Sequence, residues 1–128
     1  MMTIKTYVAK STVCDSLGLF SKNKVSAGTV IWSFVKGFDV KVHVSNMNKL
    51  LPSQREYVDS HFWRERDYLY SSCDNSNFQN HSNNPNSVSR GAVMIASRDI
   101  EAAEEILVDY TSFDDDWSLY SPSAEWAK

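Results

Sequence analysis

The ten-residue segment 77–86 limits most strongly how this chain can fold. It contains five asparagines, one histidine and one proline. Asparagine, serine and proline favour turns, and Pro85 biases Asn84 away from the helical region of backbone space. Phe78 precedes this polar part and the apolar run 92–96 follows it. A polar segment between two buried segments predicts a loop that carries function, although a plain surface loop has a similar composition.

Length and composition predict one globular domain. A chain of 128 residues is long enough to bury about two-thirds of its unfolded surface. The hydrophobic fraction of 42% and the aromatic fraction of 12% exclude a disordered chain. The sequence has no apolar run of membrane-spanning length and no secretory leader, so we expect an intracellular protein, in the cytoplasm, or in host cytoplasm or nucleus if it is viral. Cys14 and Cys73 are too few for a disulfide scaffold or a cysteine-based zinc site.

Charge distribution narrows the class of partner. The net charge of -3 argues against a general nucleic-acid binder. Acidic residues concentrate at the C-terminal end, where Lys128 is the only basic residue. The acidic residues of this region are Asp99, Glu101, Glu104, Glu105, Asp109, Asp114, Asp115, Asp116 and Glu125. They form either a solvated face or an acidic rim that attracts a basic peptide or protein.

Most of the chain has the composition of short strands. The segments that favour strands, because they are rich in β-branched and aromatic residues or alternate in polarity, are 6–13, 29–35, 38–44, 92–96 and 105–110. Segment 38–44 has apolar residues at even positions and polar residues at odd positions, which predicts a half-buried strand with one wet face.

One helix interrupts this pattern. Ser53 and Glu56 have the spacing of a capping box, which predicts a helix from about 54 to 66. Val58, Phe62 and Leu69 lie near one face of that pattern. The predicted class is therefore mainly β, with a short helical insertion.

Three separated motifs resemble those of one family. They are Ser16-Leu17-Gly18-Leu19-Phe20, then Asn80-His81-Ser82-Asn83-Asn84-Pro85-Asn86, then Arg98-Asp99-Ile100 with Glu104-Glu105-Ile106-Leu107-Val108-Asp109-Tyr110. In this order and approximate spacing, they resemble the motifs of a SET domain, the fold of protein-lysine methyltransferases. The resemblance is closest to small single-domain members, as found in viruses or bacteria.

The resemblance implies a fold and an activity. The implied fold is the SET fold, a β-clip type of several short sheets with a knot-like C-terminal threading, spanning 1–128 as a single domain. The insertion would cover about 45–76, and an aromatic and acidic tail about 111–128. The implied reaction transfers a methyl group from S-adenosyl-L-methionine to a lysine of a basic protein, histone-like or other. A homodimer is possible, and neither nucleic acid, membrane nor metal is implied.

Matching positions carry the family's functional residues over to this chain. The implied cofactor-binding residues are Leu17, Gly18, Leu19, Asn80, His81, Tyr110 and Trp117, and the implied catalytic residues are Tyr110 and Tyr68. Gly18 would let the backbone approach the cofactor, and the Asn80 amide would recognise an adenine edge. His81 as a general base is the competing role.

Two of the aromatic residues implied for the site, Tyr68 and Trp117, have alternatives in the sequence. The Tyr110 hydroxyl would position the lysine amine, because a tyrosine with a pKa of about 10 is a poor base at neutral pH. Tyr68 would line the channel, yet Tyr70 could do so instead, and either could merely pack. Trp117 would close over the site, and Trp126 could take that part.

Two departures from the family pattern leave other functions open. Ser16 replaces the first glycine of its motif, and Ala103 replaces the glycine that usually precedes the paired glutamates. A catalytically inactive SET-fold module that binds a peptide or the cofactor is therefore an alternative. An unrelated small β protein, with no affinity for S-adenosylmethionine, is the third hypothesis.

Overall fold

The structure, a computed structural model, describes residues 1–115 of the chain. Within this range there are ten short strands and one α-helix. The strands are β1 (Thr6–Lys10), β2 (Leu17–Ser21), β3 (Val30–Ser33), β4 (Val40–His43), β5 (Trp63–Glu65), β6 (Tyr68–Ser71), β7 (Asn80–His81), β8 (Ser87–Arg90), β9 (Val93–Ala96) and β10 (Leu107–Val108). The helix α1 spans Pro52–His61, and 3-10 turns span Val44–Lys49, Asn75–Phe78 and Tyr110–Ser112. The predicted mainly β class is confirmed. No helix in the described range is long and apolar enough to cross a membrane.

The strands form four small sheets. Strands β1 and β2 pair antiparallel, and β9 lies between β3 and β8 in a three-stranded sheet. In a second three-stranded sheet, β6 lies between β4 and β5. Strands β7 and β10 form a two-stranded parallel pair. The predicted segment 105–110 thus contributes only Leu107–Val108, since Tyr110 begins a 3-10 turn capped by Asp109, and β8 was not predicted.

One apolar cluster joins the sheets. Its buried members are Leu19, Val25, Ile31, Ala96, Ile100 and Ile106. The Ile106 N–H donates to the Leu19 carbonyl at 2.7 Å, so the C-terminal motif is held against β2 beside the core. Burial of each large aliphatic side chain contributes about 1.5–3 kcal/mol.

At the start of the predicted strand 38–44, the alternation of buried and exposed residues is opposite to the prediction. Phe38 is 64% exposed, whereas Asp39 is buried. Burial would raise the pKa of the Asp39 carboxyl, but hydrogen bonds from the N-terminal ammonium and from the Val35 and Cys73 backbones lower it overall. These donors make a buried aspartate acceptable, and alternation alone does not reveal them.

The insertion also differs from its prediction. The helix begins at Pro52 rather than after Ser53, and the Leu51 N–H donates to the Gln54 side chain at 2.8 Å. The predicted capping box is therefore wrong. Proline suits the first helical position because its missing N–H would have no helical partner there. The helix ends at His61, because the residues that follow form β5 and β6.

Backbone geometry at Ala103 generates a prediction about stability. Ala103 has a φ of 65°, in the left-handed region that costs an L-residue about 1–2 kcal/mol. Ala103→Gly should therefore raise the free energy of unfolding by about 0.5–1 kcal/mol, after the entropy that glycine adds to the unfolded chain. Ala102→Gly is the matched control, since that residue is also exposed but has no positive φ. It should destabilise by about 0.5–1 kcal/mol. Urea unfolding measures both, and equal losses in the two variants would contradict the prediction.

Candidate active site

The second and third motifs meet in the parallel pair of β7 and β10. Asn80 lies opposite Leu107, and His81 lies opposite Val108. The Ser82 N–H extends the pairing by donating to the Val108 carbonyl at 3.0 Å. Two residues per strand make a very short ladder, so side chains must supply much of the remaining connection.

Asn86 supplies part of that connection. It is 1% exposed, and its Oδ1 accepts the Leu107 N–H at 2.8 Å. Its Nδ2 donates to the Glu105 carbonyl at 2.8 Å and to Glu104 Oε1 at 3.2 Å. A neutral amide can donate and accept in this way. The loop predicted from its composition is therefore bonded directly to the C-terminal motif.

Glu105, a residue of the third motif, connects the segment just before the first motif to the second motif. The residue is 3% exposed, and Oε1 accepts the Ser11 hydroxyl at 2.7 Å and the Asn80 amide at 3.2 Å. Oε2 accepts the Thr12 N–H at 2.7 Å and the Thr12 hydroxyl at 2.6 Å. Burial would raise the pKa of the Glu105 carboxyl, but these hydrogen bonds lower it overall. The carboxylate thus accepts hydrogen bonds both from the N-terminal residues Ser11 and Thr12 and from Asn80 of the second motif.

Gly18 is explained by this carboxylate. A Cβ at Gly18 would lie 2.2 Å from Glu105 Oε1 and 3.3 Å from the Ser11 backbone. Glu105 occupies the space that the missing side chain of Gly18 leaves. Leu17 is 48% exposed, whereas the Leu19 side chain is fully buried in the core, where it cannot contact a cofactor.

Asn80 uses its amide within the protein. Nδ2 donates to the Leu17 carbonyl at 2.9 Å and to Glu105 Oε1 at 3.2 Å. Both amide hydrogens are therefore engaged, so they are not available for the predicted contact with an adenine edge. Asn80 instead fixes β7 beside the first motif.

His81 is buried, at 5% exposure. Its Nδ1 accepts the Tyr110 N–H at 3.1 Å, which assigns the proton of the neutral ring to Nε2. Nε2 then donates to Asn83 Oδ1 at 3.2 Å. A ring held on both nitrogens positions Tyr110 and is poorly placed to act as a general base.

Tyr110 lies at the end of this network and faces a cleft. Its hydroxyl donates to the Gln79 main-chain carbonyl. Its ring contacts Phe113, with centroids 6.0 Å apart, and His81, with centroids 5.6 Å apart. His81 thus fixes the backbone of Tyr110, Phe113 and His81 contact its ring, and Gln79 accepts from its hydroxyl.

The cleft has a volume of about 680 Å³ and reaches from the first motif to the insertion. Its polar lining includes Ser16 and Asn80, and its aromatic lining includes Phe62, Trp63 and Phe113. This volume is within the usual range for a cofactor site. Within the described residues, no cluster of histidine, cysteine or carboxylate side chains could hold a metal ion.

The aromatic wall of the cleft was missed in the sequence. Trp63 stacks on Tyr70 at a centroid distance of 5.6 Å, and its edge contacts involve Trp32 at 6.0 Å and Phe113 at 6.3 Å. Trp63 falls within the predicted helix 54–66, but in the structure it lies in β5. The pairing of β5 with β6 places Trp63 opposite Tyr70.

Tyr68 lies away from Tyr110. It is 39% exposed, and Lys41 Nζ is 4.5 Å from the centroid of its ring. It lines a separate cavity of about 530 Å³ with Tyr70, so the structure does not bring it to the cleft as predicted. Trp117 and the alternative Trp126 lie outside the described residues, and their role stays a prediction.

Acidic groups flank the aromatic wall. Burial raises the pKa of the Glu65 carboxyl, a hydrogen bond from Trp63 opposes this, and the charges of Asp115 and Asp114 raise it further. Glu65 and Asp114 both line the cleft. A cation in the cleft would relieve the repulsion among these carboxylates.

The Glu105 network predicts a pH-dependent stability. Because its pKa is lower in the folded state, Glu105 stabilises the fold above its unfolded pKa of about 4.5, and this contribution is lost as pH falls through the folded pKa. Glu105→Gln should lower the free energy of unfolding at pH 7 by about 2–3 kcal/mol. The difference from the parent protein should shrink below pH 4 or so.

Urea unfolding between pH 3 and pH 7 measures this dependence. The exposed Glu56 provides the control Glu56→Gln, which should change stability by less than about 0.5 kcal/mol. A destabilisation by Glu105→Gln that stays constant over the whole pH range would contradict the proposed role of the carboxylate charge.

Comparison with known proteins identifies the family of this site. A family model described as the SET domain matches residues 16–111. The structure is similar to a candidate histone methyltransferase of Plasmodium falciparum, with a TM-score of 0.61 and 25% identity over 85% of this chain and 95% of that chain. No curated protein sequence matches the chain.

Two structures of a Polycomb Repressive Complex 2 show the same fold. One is a humanized mutant of the Chaetomium thermophilum complex bound to the inhibitor GSK126, with a TM-score of 0.64 and 15% identity over 90% of this chain. The other, the apo complex ctPRC2 with two substitutions in Ezh2, has a TM-score of 0.67 and 16% identity over 92% of this chain. The present chain covers 16% of the matched chain in each. The family match, the small sheets and the joined motifs agree, and the chain belongs to the SET-domain family.

Proposed function

We propose that this protein transfers a methyl group from S-adenosyl-L-methionine to the side-chain amine of a lysine in a basic protein. The observation that carries the proposal is the placement of Tyr110. Its hydroxyl donates to the Gln79 main-chain carbonyl. Both residues line a cleft that also includes Ser16 and Asn80, so all three motifs contribute to it. Family membership supports methyl transfer to protein lysine in general, and the site residues supply the specific roles below.

The cleft fits the cofactor in size and in chemistry. When bound, S-adenosylmethionine supplies an electrophilic methyl group on a positively charged sulfonium. The lining offers oxygen acceptors from Tyr110 and Gln79, the Glu65 and Asp114 carboxyls, and the polar groups of Ser16 and Asn80. A cationic group is favoured among such acceptors. We assign the cofactor to the end of the cleft formed by Ser16 and Asn80, with Leu17, Gly18 and His81 supporting that end through the backbone.

Tyr110 acts in this proposal by positioning and by electrostatics. A phenol with an ordinary pKa of about 10 does not take a proton efficiently at neutral pH. Its oxygen can instead accept a hydrogen bond from the lysine amine and orient the nitrogen lone pair. Holding two reacting groups in line lowers a barrier by up to about 7–11 kcal/mol. The hydrogen bonds that Tyr110 donates to His81 and to Gln79 keep its ring in the required orientation.

The lysine amine must be neutral before it can attack. Its ordinary pKa is about 10.4, and desolvation lowers the pKa of a buried ammonium. Phe62, Trp63 and Phe113 provide an apolar wall for such desolvation. A neutral amine held against this wall would be able to take the methyl group that bound S-adenosylmethionine supplies, and the resulting methylated ammonium would release one proton to water.

A basic protein is the proposed substrate class. Glu65 and Asp114 lie in the cleft, and Asp115 follows on the same segment, so the approach to Tyr110 is acidic. Acidic surfaces attract basic peptides and increase their association rate. The similar Plasmodium protein is described as a histone methyltransferase, which supports a histone-like substrate for this chain.

Tyr110→Phe tests the proposed chemistry. It should lower kcat for methyl transfer to a basic protein by about 100-fold, because the hydroxyl is removed while the ring contacts stay. The dissociation constant for S-adenosylmethionine should change less than about two-fold. Radiolabelled methyl transfer and calorimetric titration provide the two measurements.

Tyr7→Phe is the control, because Tyr7 is a half-buried tyrosine whose ring stacks on Phe20 at 5.4 Å, on the β1–β2 sheet. It should leave kcat unchanged. Cofactor binding without transfer in the parent protein would support the inactive binding module instead. Failure to bind S-adenosylmethionine would contradict the proposed methyl transfer and a cofactor-binding module.

A further inference from the structure

Gln79 is a buried polar residue directly before the Asn80-His81 pair. It is 8% exposed, and it lines the cleft. Its Nε2 donates to the Ser87 hydroxyl oxygen at 3.0 Å and to Met94 Sδ at 3.1 Å. A buried amide needs such partners, since a lost partner costs about 1–3 kcal/mol.

Ser87 extends this contact towards the C-terminal motif. It is 1% exposed, and its hydroxyl donates to the Leu107 carbonyl at 2.7 Å. Leu107 lies on β10, three residues before Tyr110. The Tyr110 hydroxyl donates back to the Gln79 carbonyl. The contacts therefore form a closed ring, from Gln79 through Ser87 and β10 to Tyr110 and back.

This ring fixes the acceptor that the Tyr110 hydroxyl meets. A main-chain carbonyl can move when its residue is held by the backbone alone. Here the Gln79 side chain attaches its own backbone to Ser87, which in turn is bonded to Leu107 on β10, three residues before Tyr110. Linked hydrogen bonds inside a protein strengthen and orient one another, and a displacement of about 1 Å at a reacting group can cost about 100-fold in rate.

We propose that Gln79 is a positioning residue, whose buried side chain sets the orientation of the Tyr110 hydroxyl through the Gln79 carbonyl. The inference deepens the proposed methyl transfer and rests on it. A purely structural role for Gln79 predicts lost stability alone. A positioning role predicts, in addition, an altered Tyr110 hydroxyl and a lower kcat.

Gln79→Met and Ser87→Ala break the ring at two different places. Methionine keeps an unbranched side chain of similar length but removes the amide donor, and alanine removes the hydroxyl that joins Gln79 to Leu107. Ser21→Ala is the matched control, because Ser21 is a fully buried serine whose hydroxyl also donates to a main-chain carbonyl, that of Asn23, at 2.6 Å.

All three variants should lose comparable stability, about 1–2 kcal/mol. Gln79→Met and Ser87→Ala should also lower kcat by about ten-fold, with the dissociation constant for S-adenosylmethionine within about two-fold of the parent value. Ser21→Ala should leave kcat unchanged. In a Tyr110→Phe background, Gln79→Met should have little further effect on kcat, because the hydroxyl it positions is absent.

A spectroscopic measurement tests the ring independently of turnover. The ring-carbon resonance next to the Tyr110 hydroxyl, observed with labelled tyrosine and assigned with Tyr110→Phe, should shift in Gln79→Met and Ser87→Ala and stay in place in Ser21→Ala. Folded Gln79→Met or Ser87→Ala protein with parental kcat and an unmoved resonance overturns the proposal, as does an equal loss of kcat in the Tyr110→Phe background. If the parent protein transfers no methyl group, the proposed function fails, while the resonance still decides whether Gln79 positions Tyr110.

Discussion

The buried carboxylate of Glu105 is the interaction on which the site depends most. It accepts hydrogen bonds from Ser11, from Thr12 twice and from Asn80, residues that are far away in the sequence. Burying a carboxylate is costly unless it is hydrogen-bonded, so these donors must be in place together. The same requirement explains Gly18, whose missing side chain leaves room for the carboxylate. One anion of the third motif thereby joins the segment just before the first motif to the second motif.

The rest of the site follows from how short its strands are. A parallel pair with two residues on each strand cannot hold itself together by ladder bonds alone. Asn86 and His81 supply the missing bonds through their side chains, to Leu107 and to the Tyr110 backbone respectively. The polar composition of segment 77–86 is therefore a structural necessity. Its amide and imidazole groups supply hydrogen bonds that a longer sheet would otherwise provide.

Sequence reasoning reached the class of the fold and the three family motifs, because those depend on composition and on a family resemblance. It failed where a partner lies far along the chain. The buried Asp39 is stabilised partly by the Cys73 N–H, 34 residues away. The alternation of polar and apolar residues within 38–44 cannot indicate such a distant donor. Trp63 was placed in a helix because local spacing is ambiguous for short apolar runs. Gln79 passed unnoticed, since its importance comes from Ser87 and Tyr110 rather than from its neighbours in sequence.

Backbone conformation shows what the two departures from the family pattern, Ser16 and Ala103, cost the protein. Ser16 has no positive φ and is exposed, so the turn accepts a side chain there, whereas Gly18 is enclosed by Glu105 and the Ser11 backbone. Ala103 does adopt the left-handed conformation, yet its N–H donates to the Ser21 carbonyl at 2.8 Å, and Ala103 does not line the cleft. The cost of losing that glycine is thus a cost in stability. Because neither change touches the bonds of Glu105, Asn86 or His81, both are compatible with an intact active site.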